Sequence, residues 1–307
     1  MKDLFSTLTL RRDVERLCGF GPRSFEQTRT LADIANWIRE ELSRAGLSAT
    51  LESFRTGRGP YANVVAKLPG ASDRTPTLVV GAHYDGCGAT PGADDNGSGI
   101  AALLALGRWL GTQKTSTLFT IELVAYSLEE PPFFGTPEMG SAFHARARKA
   151  AGVSLAGMIS LEMLGYFSDE PSSQQFPTAL LKALYPSRGN FLMLAGNWRS
   201  RAFGKQVARW FAGGTQLPIH RLNAPDIIPG IQFSDHRNYG ALGIPALMLT
   251  DTAFYRNPHY HEPSDLPDTL DYERMREAVL GIQAIVSGFL TQNVISVGAH
   301  GSLQPRL

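Results

Sequence analysis

The sequence predicts an α/β chain: a three-layer sandwich with a central mixed, mostly parallel sheet between helices. Three observations predict it. Several short runs, such as TLVVGA at 77–82 and LFTIELVAY at 118–126, are apolar almost throughout, as strands covered on both faces must be. These runs alternate with amphipathic segments of helical period. The apolar runs are also followed closely by an acid or an imidazole, as expected where parallel strands deliver side chains to one edge of a sheet.

Taken in order, residues 28–45 read as the first amphipathic helix, with Leu31, Ile34, Ala35, Ile38 and Leu42 on one stripe and Gly46 as the stop. Residues 1–47 as a whole form a helical lead-in. Short β-rich runs follow at 49–54, 62–68 and 77–82, then a helix at 99–110 and a buried strand at 118–126. Residues 137–151 read as a helix, and 153–161 and 191–195 as strands. A helix at 201–212, a last buried strand at 245–249 and a closing helix at 271–290 complete the alternation. The Ser-, Pro- and Gln-rich stretch 168–190 reads as a long loop, and the tail after Asn293 as a frayed end. No linker, repeat or low-complexity run interrupts the chain, so a single domain over 1–307 is expected.

Composition narrows the partners. With 29 Lys+Arg against 28 Asp+Glu, the net charge of +1 gives no electrostatic reason to expect nucleic acid or an anionic membrane. A chain of 307 residues buries roughly 75% of its unfolded surface, so it needs no metal or disulfide merely to fold. Any bound metal is then expected to be catalytic. Cys18 and Cys87 match no zinc-ribbon or redox pattern. The first residues lack the apolar stretch of a signal peptide, and no window suits a membrane span, so a cytoplasmic location is expected.

The chemistry collects at the predicted strand ends. After 77–82 come His83-Tyr84-Asp85 and then Asp94-Asp95-Asn96. After 118–126 come Glu129-Glu130, after 153–161 comes Glu162, and after 245–249 come Asp251 and, further on, His259-Tyr260-His261. So many acids in one partly buried place would repel one another unless cations held them. Imidazole mixed with carboxylate oxygen suits Zn²⁺, with Mn²⁺ or Co²⁺ as alternatives. Two metals with one His and one carboxylate each, plus a bridging carboxylate, require two His and three acids: His83, Asp95, Glu130, Glu162 and His261. Glu129, adjacent to a ligand, is then free to take a proton from a metal-bound water. Asp85 can accept the second ring N–H of His83 and fix its tautomer. Asp235-His236 form a candidate supporting pair. Bland readings exist for each: Asp-Asp-Asn-Gly is ordinary turn sequence, and His259 competes with His261, although the HxPxD spacing favours His261. Cys87 reads as a small unligated side chain, with ligation or nucleophilic use as its alternatives. No G-x-S-x-G elbow or dinucleotide-binding glycine pattern is present.

Five motifs in order, GAHYDG…PGADDNGSGIAALL, LVAYSLEE, SLEMLG, FSDH…GIPAL and PHYHEPSDLPDTLDYERM, resemble the two-zinc aminopeptidase family of bacterial leucine aminopeptidases. Glutaminyl cyclases and the transferrin-receptor ectodomain share that superfamily. The resemblance implies a sheet of about eight strands and a bridging Asp95. It further implies that His83 shares one zinc with Glu162 and His261 the other with Glu130, with Glu129 as general base and Tyr260 stabilising the tetrahedral intermediate. The sequence departs from the family in Cys87, in Glu162 where many members carry Asp, in the run Pro131-Pro132-Phe133-Phe134, and in Phe233, where some members place a basic residue. The expected activity is an aminopeptidase acting on peptides. The alternatives are a single-zinc cyclase-like acyl transferase, a hydrolase of another amide such as an N-acyl amino acid, and a non-catalytic binding protein.

Overall fold

The computed structural model describes residues 4–113 and 117–291. Two helices lead in, α1 (Thr7–Cys18) and α2 (Thr28–Arg44), followed by the strands β1 (Ser48–Thr56), β2 (Gly59–Leu68) and β3 (Thr77–His83). Then come α3 (Gly99–Leu110), β4 (Thr120–Tyr126), α4 (Gly140–Ala150), β5 (Leu155–Glu162) and the short α5 (Ala179–Leu184). The chain continues through β6 (Leu192–Gly196), α6 (Arg201–Gly214), β7 (Ile219–Asn223), α7 (His236–Gly240), β8 (Ala246–Thr250) and α8 (Tyr272–Thr291). The strands form one sheet in the order β1-β2-β4-β3-β5-β8-β6-β7. The central four, β4-β3-β5-β8, are mutually parallel, and antiparallel pairs flank them at β1/β2, β2/β4 and β6/β8. The sheet is therefore mixed, with its parallel part in the middle.

Alternation along the central strands divides the core between the two faces. Leu78, Val80 and Ala82 of β3 pack with Leu123 of β4 and Leu161 of β5 into the core shared with α1, α2, α3, α6 and α8. Val79, Val124 and Met158 face the other way, against Ala145 of α4 and Tyr239 of α7. Burying both faces is what makes these strands read as unbroken apolar runs.

Four details differ from the sequence expectation. Residues 1–47 contain two separate helices; α1 buries Leu10, Val14 and Leu17 and has its N-terminus capped by the Ser6 hydroxyl, which accepts from Thr9 N–H. α4 starts at Gly140 rather than 137, because the Gly140 N–H donates to the Ser127 carbonyl at 2.8 Å. β7 is a half-exposed edge strand without an apolar run, and α5 lies inside the predicted loop 168–190. The tail after Asn293 lies outside the described residues. Among the described residues, no helix is long and apolar enough to cross a membrane.

Candidate functional site

The parallel centre of the sheet brings three strand ends to one level. His83 ends β3 beside Tyr126, which ends β4, and the pairing of Gly81 with Ser160 leaves Glu162 of β5 two residues further along the same edge. After β4 the chain passes through Leu128 at φ 62°, and this bend turns both Glu129 and Glu130 into the site. Asp95 arrives from the turn before α3, and His261, at φ 58°, from the loop between β8 and α8.

The five residues expected to hold metal converge. His83 Nε2 lies 3.4 Å from Asp95 Oδ1 and 3.3 Å from Glu162 Oε1. His261 Nε2 lies 3.0 Å from Asp95 Oδ2 and 3.2 Å from Glu130 Oε2. Asp95 thus offers one oxygen to each imidazole. Glu129 Oε2 stands 3.9 Å from His83 Nε2, buried between the two groups.

Second contacts hold these side chains still. His83 Nδ1 is 3.2 Å from the Asp85 backbone carbonyl and 3.6 Å from Asp85 Oδ1, so it carries the proton and leaves Nε2 free to face the acids. The Asp85 carboxylate also accepts the backbone N–H groups of Glu129 and Glu130, at 3.2 and 3.1 Å. It therefore orients three site residues rather than one. Asp235 is fully buried near His83 and Glu162, and burial followed by the charge of Glu162 pushes its carboxyl up to about 7. His236 turns away: its Nε2 donates to the Ile231 carbonyl at 2.7 Å, and among the described residues no hydrogen bond or ion pair joins it to the acids. His259 is likewise engaged elsewhere, with Ser264 Oγ 2.9 Å from its Nδ1. Asp251 spends its carboxylate on the backbone N–H groups of Tyr166 and Ala253. Tyr260 stacks on the His261 ring with centroids 3.8 Å apart.

Three supporting residues were not picked out from the sequence. Asp265 accepts the N–H groups of Asp94 and Asp95, at 2.9 and 3.1 Å; it is the D of the HxPxD spacing that singled out His261. Ser234 donates to Glu162 Oε2 at 2.6 Å and is itself 2.7 Å from Ser160 Oγ. Fully buried Arg23 donates to the carbonyls of Pro91, Gly92 and Asp95, tying the lead-in to the loop that carries Asp95. Gly92 sits at φ 58°, where a Cβ would collide with that guanidinium and with the Asp95 carbonyl. Ser234 lies within the FSDH motif, but its role there shows only in the fold, and Arg23 carries no sequence signal, since it works through long-range contacts.

The electrostatics are unbalanced. Burial, then the charges of Glu162 and Glu130, hold the Glu129 carboxyl well above the usual range. Burial and neighbouring Asp95 raise Glu130 to about 7, and burial also raises Glu162. Burial would raise Asp95 too, but the imidazoles of His261 and His83 overcome it and pull that carboxyl down. Cys87 completes the surroundings: burial, then Glu130, Asp95 and Asp85, push its thiol up to about 11.

Beside the acids opens a cavity of about 340 Å³. Asp95, Glu129, Glu130, Glu162 and His261 form one wall, and the rest is largely apolar, including Phe134, Phe176, Met193, Ile231, Phe233 and Phe254. Phe233 packs edge-on against Phe134 and tilted against Phe254, which reaches Tyr260. No Lys or Arg lines the cavity among the described residues.

Comparison with known proteins agrees with this architecture. The uncharacterized protein YfbL of Escherichia coli is 42% identical over 269 residues, covering 85% of this chain and 81% of that protein. A probable leucine aminopeptidase of Arthroderma otae is 28% identical over 92% of this chain and 71% of its own length. Among solved structures, the LapA aminopeptidase of Legionella pneumophila superposes with a TM-score of 0.76 at 20% identity, covering 94% of this chain and 73% of that one. The glutaminyl cyclase of Porphyromonas gingivalis gives a TM-score of 0.71 at 21% identity, over 93% and 99%. The model of peptidase family M28 matches residues 63–286, a span that runs from β2 into α8 and contains every acid and imidazole of the cluster. With that span matched, and with strand ends that gather acids and imidazoles beside an apolar cavity, the chain belongs to peptidase family M28, a family of metal-dependent enzymes.

Proposed function

We propose that this M28 peptidase is an aminopeptidase that uses two zinc ions to release N-terminal residues with apolar side chains. The observation that carries the reading is the pairing of the acid–imidazole cluster with an apolar cavity that holds no cationic side chain.

The donor geometry fits metal ions. In a tetrahedral zinc site with bonds of about 2.0–2.1 Å, neighbouring donors stand about 3.3 Å apart, and the four imidazole–carboxylate separations span 3.0 to 3.4 Å. Glu130 Oε1 is a buried atom without a hydrogen-bond partner, as a donor reserved for a cation would be. His83 and Glu162 would hold one ion, His261 and Glu130 the other, and Asp95 both. Bound there, such ions supply Lewis-acid polarisation of a carbonyl and a lowered pKa for a coordinated water.

The chain's own residues supply the remainder. Glu129, adjacent to a ligand but outside both donor pairs, accepts the proton of the attacking water and returns it to the leaving amine. Tyr260, which stacks against His261 and lines the cavity, would donate toward the developing oxyanion. A free substrate amine is a cation and finds four carboxylates beside His261 along this wall, whereas a C-terminal carboxylate would find no Lys or Arg to pair with. The Phe- and Met-lined space takes the apolar side chain of the released residue.

Glu129→Gln is expected to keep bound metal and to lose roughly 10²–10⁴-fold in turnover of aminoacyl-anilides. Near-wild-type turnover in that variant sinks the assignment of the base. Assay of dipeptides, aminoacyl-anilides and N-acyl amino acids separates aminopeptidase from other amide hydrolase activity. A metal content of one zinc per chain, with cyclisation of N-terminal glutamine, would point to the cyclase instead; His83 at donor distance from two acids favours two ions.

A further inference from the structure

We infer that Cys87 is a thiolate donor to the cation on the His261 side, which makes the two cation sites chemically unequal. The inference rests on the metal-binding reading above.

Cys87 Sγ, a carboxylate oxygen of Glu130 and a ring nitrogen of His261 lie within 4.8 Å of one another. Glu130 is only 5% exposed, and its Oε1 has no hydrogen-bond partner, so a donor already aimed into this group is left unsatisfied. His83 belongs to two other such groups, one with Asp95 and Glu162 and one with Glu129 and Glu130, and neither contains sulfur.

The loop carrying Cys87 is fixed rather than free. The Gly86 N–H donates to the Arg23 carbonyl at 3.1 Å, and the Cys87 carbonyl accepts both the Thr90 N–H at 3.1 Å and the Thr90 hydroxyl at 2.8 Å. The guanidinium of the same Arg23 holds the carbonyls of Pro91, Gly92 and Asp95. One buried arginine therefore sets the position of the thiol and of the shared carboxylate together, as a preformed donor set requires.

On coordination the S–H bond breaks, its proton passes to solvent, and a sulfur lone pair enters the bond to the cation. Nothing is oxidised or reduced. A thiolate among oxygen and nitrogen donors favours soft cations such as Cd²⁺ over hard ones such as Mn²⁺. The His261-side site is thus the softer one, and the His83-side site, with one imidazole, carboxylates and no sulfur, is the harder one.

Cobalt(II) is the probe. The full-length protein loaded with Co²⁺ is expected to show a sulfur-to-cobalt charge-transfer band in the near ultraviolet, present in Cys18→Ser and absent in Cys87→Ser and Cys87→Ala. The ratio of Cd²⁺ to Mn²⁺ affinity is expected to fall about tenfold or more in the Cys87 variants. Binding of two Co²⁺ per chain with no such band in the wild-type protein overturns the inference, whatever the variants do, and leaves the metal reading standing. A band that survives in the Cys87 variants also overturns it. Failure of the protein to bind any Co²⁺ overturns the metal reading and the thiolate with it.

Discussion

Strand β4 carries buried acid at both ends, and the two ends meet opposite fates. Near its start, Glu122 is 1% exposed and ringed by basic side chains: Lys67 Nζ at 2.8 Å, Arg148 Nε at 2.9 Å and His144 Nε2 at 3.3 Å. Burial alone would raise its pKa, but His144, Arg148 and Lys67 outweigh burial and hold the carboxyl well below its usual range. Just past the other end, Glu129 and Glu130 are almost as buried, and there burial, with neighbouring carboxylates adding to it, holds their pKa values up. The same side chain at similar depth is thus a finished ion pair in one place and an unfinished one in the other. The finished cluster serves the fold. The unfinished one is the cluster that we propose metal ions complete.

The comparison can be broken at its most loaded point. Asp95→Asn removes the carboxylate shared by both imidazoles, so metal analysis should show loss of both ions and peptidase assays a fall to background, beyond the loss in Glu129→Gln. Glu122→Gln tests the other end of the strand: denaturant unfolding should show about 3 kcal/mol less stability, while kcat on an aminoacyl-anilide stays at the wild-type value. An equal loss of kcat would mean that the two clusters are coupled. Asp85→Asn sharpens the contrast, since Asp85 orients His83, Glu129 and Glu130 without being one of the proposed ligands. Chelator competition should find metal affinity reduced roughly 10–100-fold.

The smallest expected effect is on pH. Glu122 has its folded pKa depressed below the ordinary 4.5. Its stabilising contribution is therefore complete above about 4.5 and is lost as pH falls below that value toward the folded pKa. Thermal melts of wild type and Glu122→Gln should converge as the pH falls below that point. Curves that stay parallel down to the acid limit would remove Glu122 from the account of acid stability.

Much of this was legible in the chain before folding. The central strands announced themselves because covering both faces of a parallel sheet demands unbroken apolar runs, and Glu129-Glu130 and Glu162 were conspicuous because they interrupt or end such runs. His261 was separable from His259 by spacing alone. Other features were not readable, for physical reasons. β7 pairs on one side only and stays half exposed, so it needs no apolar run. His236 looked paired with Asp235 because the two are adjacent, but adjacency does not fix direction, and its ring goes to the Ile231 carbonyl. Asp85 was legible as a partner of His83, yet its grip on the backbone of two glutamates 44 and 45 residues away appears only when β3 and β4 lie side by side. Arg23 is the extreme case, since its partners lie 68 to 72 residues downstream.

That arginine changes what the first residues of the chain are for. A lead-in that only covered the sheet could be nicked at Gly21, just outside α1, with loss of some stability and little else. Arg23 instead works as a tie-rod, anchored in the segment between α1 and α2 and gripping the loop that presents Cys87 and Asp95. Slack at the front of the molecule is therefore transmitted to the spacing of the proposed metal donors. Integrity of this segment and catalytic competence become one mechanical property, so proteolytic trimming or a bulky fusion close to Arg23 would detune the site from a distance.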